Sequence, residues 1–163
     1  MPQDRDDIPN VIAPPPLIGL VVLVVGLLLG WLWPLGVLAA VPSTLRIVVG
    51  VLLFAIGAWL LYAGQKTFKD AGTNVPPWEP ALNLVTAAGP YRWMRNPMYV
   101  GGTLVLAGIA IGFASDWLIV LTVIAALIIH YGVVLREERY LEARFGDAYR
   151  GYKARVPRYG LPF

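Results

Sequence analysis

The sequence predicts an all-α integral membrane protein with about four transmembrane helices, a cytosolic loop and a C-terminal amphipathic helix. Hydrophobic residues make up 58% of the 163 residues and charged residues only 14%, whereas soluble domains carry about 25% charged residues. The apolar residues also fall in four long runs, and ~20 of them suffice to cross a bilayer. Because little chain is left outside these runs, we expect residues 1–163 to form a single membrane domain.

Four apolar stretches are predicted to span the membrane. They are residues 17–40, 45–64, 99–114 and 117–135. A Val-Pro-Ser-Thr turn signal separates the first two, the third is short and Gly-rich, and the fourth carries one imidazole and no charge. Trp31 and Trp33 lie toward the far end of the first stretch, as in an interfacial aromatic belt. Four helices of this kind buried in a soluble core would leave almost no surface, which favours the membrane interpretation.

The basic residues predict the orientation. Of the 13 Lys and Arg residues, all except Arg46 precede the first span, lie between the second and third, or follow the fourth. By the positive-inside rule, both termini and the central loop are cytoplasmic, and we expect a prokaryotic inner (plasma) membrane. A basic rim beside anionic lipid explains the net charge of +3, so no nucleic-acid partner is predicted.

Several site chemistries are excluded by composition. The chain has no cysteine and one histidine, His130, which rules out disulfides, thiolate zinc sites and multi-His metal motifs, and no metal is predicted. A Ser-His-Asp site would depend on His130 alone, in the middle of a span. This histidine is either a hydrogen-bonded residue between helices or, as an ionisable group in a membrane, a functional one. We include it as a candidate substrate-binding residue.

Two polar segments, 65–98 and 136–163, carry residues that the membrane does not require. The first is rich in proline, which prohibits a continuous helix, and its aromatic residues argue against disorder. The second continues the fourth helix with an amphipathic pattern of Leu141, Phe145, Tyr149 and Tyr152, for which a membrane-surface helix is the simple explanation. The pair Glu137-Glu138 is not explained in that way. Arg136 and Arg139 either balance these acids or belong with them to a site.

Glycines recur along three of the spans. Gly26 and Gly30 are four residues apart, as are Gly108 and Gly112. Glycines also recur every seven residues at positions 50, 57 and 64. Small residues let helix backbones approach closely. Packing within one bundle explains the pattern, and a homodimer through these Gly-rich faces is the alternative.

Each polar segment carries one sequence motif. The motifs are LVT…GPYRxxRNPMYxG, at 84–101, and EExxLxxxFGxxYxxYxxRVP, at 137–157. Together they resemble the isoprenylcysteine carboxyl methyltransferase family, to which phospholipid N-methyltransferases are related, and the resemblance extends from Phe68 to the C-terminus. The combined signature is specific for the superfamily and weak for the substrate.

The resemblance implies S-adenosylmethionine as methyl donor, bound beneath the polar segments at the cytosolic face. Carried over position by position, the implied donor-binding residues are Asn83, Leu84, Val85, Tyr91, Asn96, Pro97, Met98, Tyr99 and Glu137. Arg95, Glu137 and Glu138 are the candidate catalytic residues, and Arg136 joins His130 as a candidate for substrate binding. A sulfonium donor with an amino-acid end suits this set, since Arg can hold its carboxylate, Glu its ammonium, and Tyr its adenine or cation.

The sequence departs from the family pattern at three places. Asn96 stands where most members have His, and an amide cannot serve as a base. An extra alanine before Gly89 blurs the register. The Arg that eukaryotic members direct at the substrate carboxylate aligns with Val133, and Arg136 is a possible substitute one turn later.

The missing His favours O-methylation of the carboxylate of a lipophilic, isoprenylcysteine-like acceptor, because a carboxylate is already ionised at pH 7 and an ammonium would need a base. The acceptor is expected to enter sideways from the membrane lipid. Three alternatives stay open: N-methylation of a phospholipid amine, methylation of another small lipophilic acid or thiol, and a non-enzymatic membrane subunit or carrier.

Overall fold

The computed structural model of the chain describes residues 11–76, 79–84 and 88–160. All regular elements within these ranges are helical. They are α1 (Pro15–Leu32), α2 (Ser43–Asp70), α3 (Pro97–Gly112), α4 (Asp116–Ile129), a π-helical turn (His130–Val134) and α5 (Leu135–Arg155), with short 3₁₀ turns at Leu38–Ala40 and Gly89–Arg92.

Three helical segments are long and apolar enough to cross a membrane, namely α1, α2 and the continuous stretch Asp116–Arg155, and α3 is a shorter apolar helix. Large apolar side chains such as Leu28 and Trp31 are exposed on the protein's own surface, Trp31 by 79%. Lipid is the natural cover for them, because soluble proteins rarely expose large apolar patches. The prediction of an all-α membrane protein is confirmed.

Close helix contacts through glycine hold the bundle together. α2 packs along α3, and α1 packs along α4, which also contacts α3. A Cβ atom added at Gly57 would lie 2.6 Å from the carbonyl oxygen of Gly101, and one added at Gly50 would lie 2.7 Å from that of Gly108. The two backbones therefore touch along these positions. Gly26 of α1 faces Leu118 of α4 in the same way, so these glycines serve packing within the bundle.

Two helix boundaries differ from the sequence-based expectation. α1 ends at Leu32, well before residue 40, since the chain turns through Pro34 and Gly36 into a short 3₁₀ turn. α2 continues past residue 64 to Asp70, where Lys66 pairs with Asp70 at 2.6 Å one turn away. The polar segment after the second span therefore starts as helix, and its irregular part begins only after Asp70.

The fourth span continues into α5 through the π-helical turn. A span needs ~20 residues, and charged residues follow one another from Arg136 onward, so α5 lies beyond the bilayer. Gly146, with φ 54° and ψ −127°, kinks the helix. This bend turns Tyr149 and Tyr152 inward, where they form a buried cluster with Val156. The apolar face of α5 therefore packs against the protein's own loop. The sequence pattern alone had suggested that this face lies on the membrane surface.

Candidate active site

The polar segments enclose a cleft at the end of the bundle that carries the C-terminus of α2 and the N-terminus of α3. Its walls come from the end of α2 and the loop after it, the Gly89–Arg92 turn, the start of α3, and the first half of α5. The lining residues are Phe68, Thr73, Asn74, Val75, Pro76, Glu79, Ala81, Asn83, Leu84, Tyr91, Arg95, Asn96, Met98, Tyr99, Glu137, Glu138, Tyr140, Leu141, Tyr149 and Tyr152.

Tyr91 is held rigidly in the wall of this cleft. Its ring stacks on Phe68 with centroids 4.9 Å apart, and its carbonyl oxygen accepts a 2.7 Å hydrogen bond from the Tyr152 hydroxyl. Gly89 opens the turn with φ 52° and packs against Thr67, leaving no room for a side chain. The Tyr91 hydroxyl itself is buried and has no hydrogen-bond partner among the described residues. Burial raises the pKa of this phenol well above its ordinary value, so it keeps its proton.

Glu137 presents its carboxylate to the cleft. Its Oε2 accepts a 2.8 Å hydrogen bond from the hydroxyl of Tyr99, so the first turn of α5 is tied to the first turn of α3. Burial raises the pKa of Glu137 to about 7, the Tyr99 hydrogen bond opposes that rise, and the charge of Glu138 adds to it. A carboxylate in so apolar a wall is costly when charged. It will therefore favour a cation beside it.

Glu138, next to it in sequence, is fully occupied by two guanidinium groups. Arg158 donates from Nε and Nη2 to its two carboxylate oxygens at 2.9 and 2.8 Å, and Arg95 Nη1 lies 2.8 Å from Oε1. Glu138 is 5% exposed. Burial alone would raise its pKa, but the two cations outweigh that effect and hold the pKa below its ordinary value. This carboxylate stays ionised and is paired with the protein's own arginines.

The C-terminal tail is fastened across the start of α3. The backbone N–H groups of Arg95 and Asn96 donate to the carbonyls of Pro157 and Arg158 at 3.0 and 3.2 Å. The Asn96 side-chain amide also reaches the Arg158 carbonyl, at 3.4 Å. These bonds place Arg158 over Glu138. The cleft floor is therefore closed by residues about 60 positions apart in sequence.

The loop wall is shaped by hydrogen bonds to side-chain oxygens. The Thr73 hydroxyl accepts from the backbone N–H groups of Leu82 and Asn83 at 3.0 and 3.2 Å. Asn83 donates its side-chain amide to the Ala71 carbonyl at 2.8 Å, and the Tyr140 hydroxyl accepts from Ala81 N–H at 3.1 Å. The loop is thus fixed to both α2 and α5.

Most of the residues predicted for the site lie together in this cleft. The ones that line it are Asn83, Leu84, Tyr91, Arg95, Asn96, Met98, Tyr99, Glu137 and Glu138. Pro97 is buried at the first position of α3 and fixes that helix start. Val85 lies outside the described residues.

The two candidates for substrate binding are not part of the cleft wall. Arg136 does not line it. His130 lies in the π-helical turn and lines a separate groove between α3 and α4, where its Nδ1 is 2.7 Å from the Tyr159 hydroxyl.

Sequence reasoning did not assign several residues of the cleft. Phe68 lies outside the two motif cores, as does Arg158, which binds Glu138 without lining the cleft. Thr73 acts through its hydroxyl on a loop with no recognisable pattern. Tyr149 and Tyr152 are part of the motif, but their helical spacing pointed to a surface helix. No group of three or more potential metal ligands occurs within 11–76, 79–84 and 88–160.

Comparison with known proteins identifies one family. A family model described as "Phospholipid methyltransferase" matches residues 45–148, more than half of the chain, and that family lies in the isoprenylcysteine carboxyl methyltransferase-like group. The predicted resemblance is confirmed. An "Uncharacterized protein" of Haemophilus influenzae is 41% identical over 64 residues, which are 38% of this chain and 98% of that protein. No solved structure matches the chain significantly.

Proposed function

The chain belongs to the phospholipid methyltransferase family, and from that premise we propose that it transfers a methyl group from S-adenosylmethionine to the carboxylate of a lipophilic, isoprenylcysteine-like acceptor that enters from the bilayer. Family membership and the apolar helices support methyl transfer in a membrane. The identities of donor and acceptor, and the residues that hold them, are the proposal.

The observation that carries the proposal is that one cleft contains both a carboxylate able to accept a further partner and a buried hydroxyl that has no partner among the described residues. Glu137 lines the cleft with one hydrogen bond, from Tyr99, while the buried hydroxyl of Tyr91 has no partner in the described chain. Buried polar atoms are seldom left unpaired in a finished site. A ligand with a cationic end and hydrogen-bonding groups would satisfy both.

The donor set of the cleft fits S-adenosylmethionine. Glu137 would hold the ammonium group or a ribose hydroxyl, and the stacked rings of Phe68 and Tyr91 offer an aromatic face to the adenine or the sulfonium. Asn83, at the loop wall, can donate or accept through its amide. Met98 and Leu84 supply apolar walls. Each part of the donor therefore finds a partner among residues that line one cleft.

Glu138 and Arg158 act as positioning residues in this proposal, and Arg95 both pairs with Glu138 and lines the cleft. Glu138 accepts two hydrogen bonds from Arg158 and forms an ion pair with Arg95, so its charge is balanced within the protein. Because the neighbouring Glu137 is fixed by the same helix turn, the ion cluster sets where the Glu137 carboxylate points. Arg95 also lines the cleft with a buried Nε that has no partner in the described chain, which leaves it able to meet a ligand carboxylate.

When bound, S-adenosylmethionine supplies an electrophilic methyl group: a carboxylate oxygen of the acceptor bonds to the methyl carbon while the methyl–sulfur bond breaks and its electron pair stays on sulfur. No proton is transferred. The protein's contribution is to align the two reactants and to exclude water. The aromatic and apolar cleft walls serve the second task, and the fixed positions of Tyr91 and Tyr99 serve the first.

Asn96, in place of the family's histidine, supports a carboxylate acceptor, because Glu137, the lining acid whose pKa is raised to about 7, is assigned to the donor in this proposal. Asn96 cannot accept a proton as a base, and its amide already points to the tail at the Arg158 carbonyl. No histidine lines the cleft within the described residues. An ammonium acceptor would have to lose a proton before it could attack. N-methylation of a lipid amine is therefore the second outcome that an experiment must distinguish.

We further propose that the cleft faces the cytoplasm, since 12 of the 13 Lys and Arg residues lie at the chain segments on that side of the spans. Arg46, at the start of α2, is the exception and belongs to the opposite face. The basic residues of α5 would then lie beside anionic headgroups.

A methyl-transfer assay identifies the acceptor. Purified protein in nanodiscs is incubated with S-[methyl-³H]adenosylmethionine and a lipid extract of the host membrane, and the labelled product is treated with mild base. Label released as methanol indicates a methyl ester and supports the proposal. Label that stays in a lipid amine after base contradicts O-methylation, and no labelled product despite folded protein contradicts methyl transfer itself.

A further inference from the structure

The groove between α3 and α4 adjoins the cleft through a shared residue. Tyr99 lines both, so a molecule in the groove would lie next to the cleft at this residue. The other lining residues of the groove are Val100, Thr103, Leu104, Ala126, Leu127, Ile129, His130, Tyr131 and Tyr159. Most belong to helices that cross the membrane, and the walls are mainly apolar. An acyl or prenyl chain would fit such a surface.

The polar end of this groove is formed by one side-chain pair. His130 Nδ1 and the Tyr159 hydroxyl are 2.7 Å apart, and the ring of Tyr131 packs edge-on against His130 at 4.7 Å. No Lys, Arg, Asp or Glu is among the groove's described lining residues. The hydroxyls of Tyr99 and Thr103 already donate within the protein, so His130 and Tyr159, with Tyr131 beside them, are the described lining residues placed to recognise a polar group in the groove.

A helix distortion and the C-terminal tail hold this pair in place. His130 is the first residue of the π-helical turn, in which the backbone is displaced from α-helical geometry, and such turns occur frequently at functional sites. The carbonyl of Gly132 in this turn accepts from Ile12 N–H at 3.3 Å, so the N-terminal segment covers it. Tyr159 arrives on the tail that Arg158 fastens to Glu138. Residues from both ends of the chain thus converge on the groove.

The contact between His130 and Tyr159 leaves one polar hydrogen of the pair free for a ligand. When the Tyr159 hydroxyl donates to Nδ1, the outward donor is the Nε2–H of the imidazole; when Nδ1–H donates to the hydroxyl, the outward donor is the Tyr159 O–H. In both arrangements the pair presents one hydrogen-bond donor.

We propose that this groove binds the methyl acceptor, and that the hydrogen-bonded pair of His130 and Tyr159 donates a hydrogen bond to the acceptor's carboxylate. This inference rests on the proposed methyl transfer and adds the acceptor subsite to it. A hydrogen-bond donor matches a carboxylate, and no acid among the groove's described lining residues would pair with an ammonium. One carboxylate oxygen bound to this pair leaves the other free to attack the methyl carbon where the groove meets the cleft, beside Tyr99.

Photolabelling tests the subsite without relying on turnover. The protein in nanodiscs, with S-adenosylmethionine present, is irradiated with a diazirine-bearing hexadecanoic acid or with the matched hexadecylamine, and the labelled peptides are mapped. We expect the acid to label the α3 and α4 segments that contain Thr103 and Leu127. Loss of a charge-assisted hydrogen bond in His130→Phe should reduce this labelling about tenfold.

His130→Gln separates a hydrogen-bond donor from a base. Its amide can donate but cannot accept a proton at neutral pH, so labelling by the acid should largely return in this variant. Tyr159→Phe, which removes one hydroxyl, should give an intermediate loss. It also keeps the test available if His130→Phe does not fold. Equal labelling of the groove by the amine, labelling by the acid elsewhere, or labelling indifferent to both positions would overturn the subsite.

Donor affinity, measured on the same samples, separates this inference from the proposed function. We expect all three variants to bind S-adenosylmethionine as the wild type does, because neither residue lines the cleft. Wild-type protein that is folded and does not bind the donor contradicts the proposed function. Intact donor binding without acid labelling contradicts the acceptor subsite alone.

Discussion

The hydroxyl of Tyr99 donates a 2.8 Å hydrogen bond to Oε2 of Glu137. The two residues belong to different helices, 38 positions apart in sequence, and Tyr99 also forms the wall shared by the cleft and the lipid-facing groove. One hydrogen bond therefore joins the first turn of α3 to the acid of the candidate donor site and fixes the position of the ring at which cleft and groove meet.

Replacing Tyr99 with Phe should weaken methyl transfer while the protein stays folded. The ring is retained and only the hydrogen bond to Glu137 is lost, which is worth ~1.5–3 kcal/mol when one partner is charged. We expect the rate of methyl transfer at limiting donor to fall at least about tenfold. Tyr62→Phe, on the exposed face of α2, is the matched control. A Tyr99→Phe rate equal to that of the control would show that the pair has no part in the reaction.

Removing the charge of Glu138 should destabilise the protein. Glu138→Gln leaves the guanidiniums of Arg95 and Arg158 without their counter-charge, and breaking a buried ion pair in this way costs ~3–5 kcal/mol. Thermal unfolding in detergent, followed by circular dichroism, should show a clearly lowered Tm. Glu142→Gln breaks a partly exposed pair with Lys153, for which ~0–1 kcal/mol is typical. Equal Tm values for the two variants would contradict the positioning role.

Donor binding should strengthen as the pH rises from 6 to 8. Burial raises the pKa of Glu137 to about 7, so below that pH the group is mostly neutral and cannot pair with an ammonium or sulfonium. Above it the carboxylate is charged and attracts the cation. Titration of the donor at several pH values checks this. The dependence should be absent in Glu137→Gln, and a dependence that persists in that variant would assign it to another group.

The raised pKa of Glu137 makes the pH dependence of stability opposite in direction to that of donor binding. The folded protein binds the Glu137 proton more tightly than the unfolded chain, so this group's contribution to the free energy of unfolding falls as the pH rises from the ordinary carboxyl pKa to about 7. Thermal unfolding of wild type and Glu137→Gln between pH 5 and 8 measures it. We expect the Tm of Glu137→Gln to increase relative to the Tm of the wild type as the pH rises. A Tm difference between the two proteins that is the same at every pH would contradict the raised pKa.

The glycine contact between α2 and α3 should not tolerate a side chain. A Cβ at Gly57 would lie 2.6 Å from a backbone oxygen of α3, and backbone cannot move aside as a side-chain end can. Overpacking of this kind costs ~1–3 kcal/mol, so Gly57→Ala should lower the Tm. Gly19→Ala is the control, since no atom lies within 4 Å of a Cβ there. If Gly57→Ala is as stable as Gly19→Ala, the helices do not touch there as described.

The apolar pattern was sufficient to predict the helical membrane fold, because hydrophobicity and length alone decide which segments can cross a bilayer. Helix ends were harder to predict. Whether α2 stops at residue 64 or at Asp70 depends on local pairs such as Lys66 with Asp70 and on the loop that packs against that last turn. A hydropathy pattern reports neither the ion pair nor the packing of the loop.

The motifs placed most of the candidate site but could not separate the two acids. Glu137 and Glu138 are adjacent in sequence, yet consecutive positions on a helix point about 100° apart. One therefore faces the cleft and Tyr99, while the other meets Arg95 and Arg158. The pairings depend on the tail returning over the start of α3, a tertiary relationship that no local spacing carries. His130 and Tyr159 come together for the same reason.

The central claim is that the cleft binds S-adenosylmethionine through Glu137, and calorimetric titration of the protein in nanodiscs at pH 8 tests it directly. We predict saturable binding to the wild type and to Glu142→Gln, and an affinity at least about tenfold weaker for Glu137→Gln, as expected for the loss of a charge-assisted contact. Folded wild-type protein that binds no donor, or a Glu137→Gln variant that binds it as tightly as the wild type, would contradict the account.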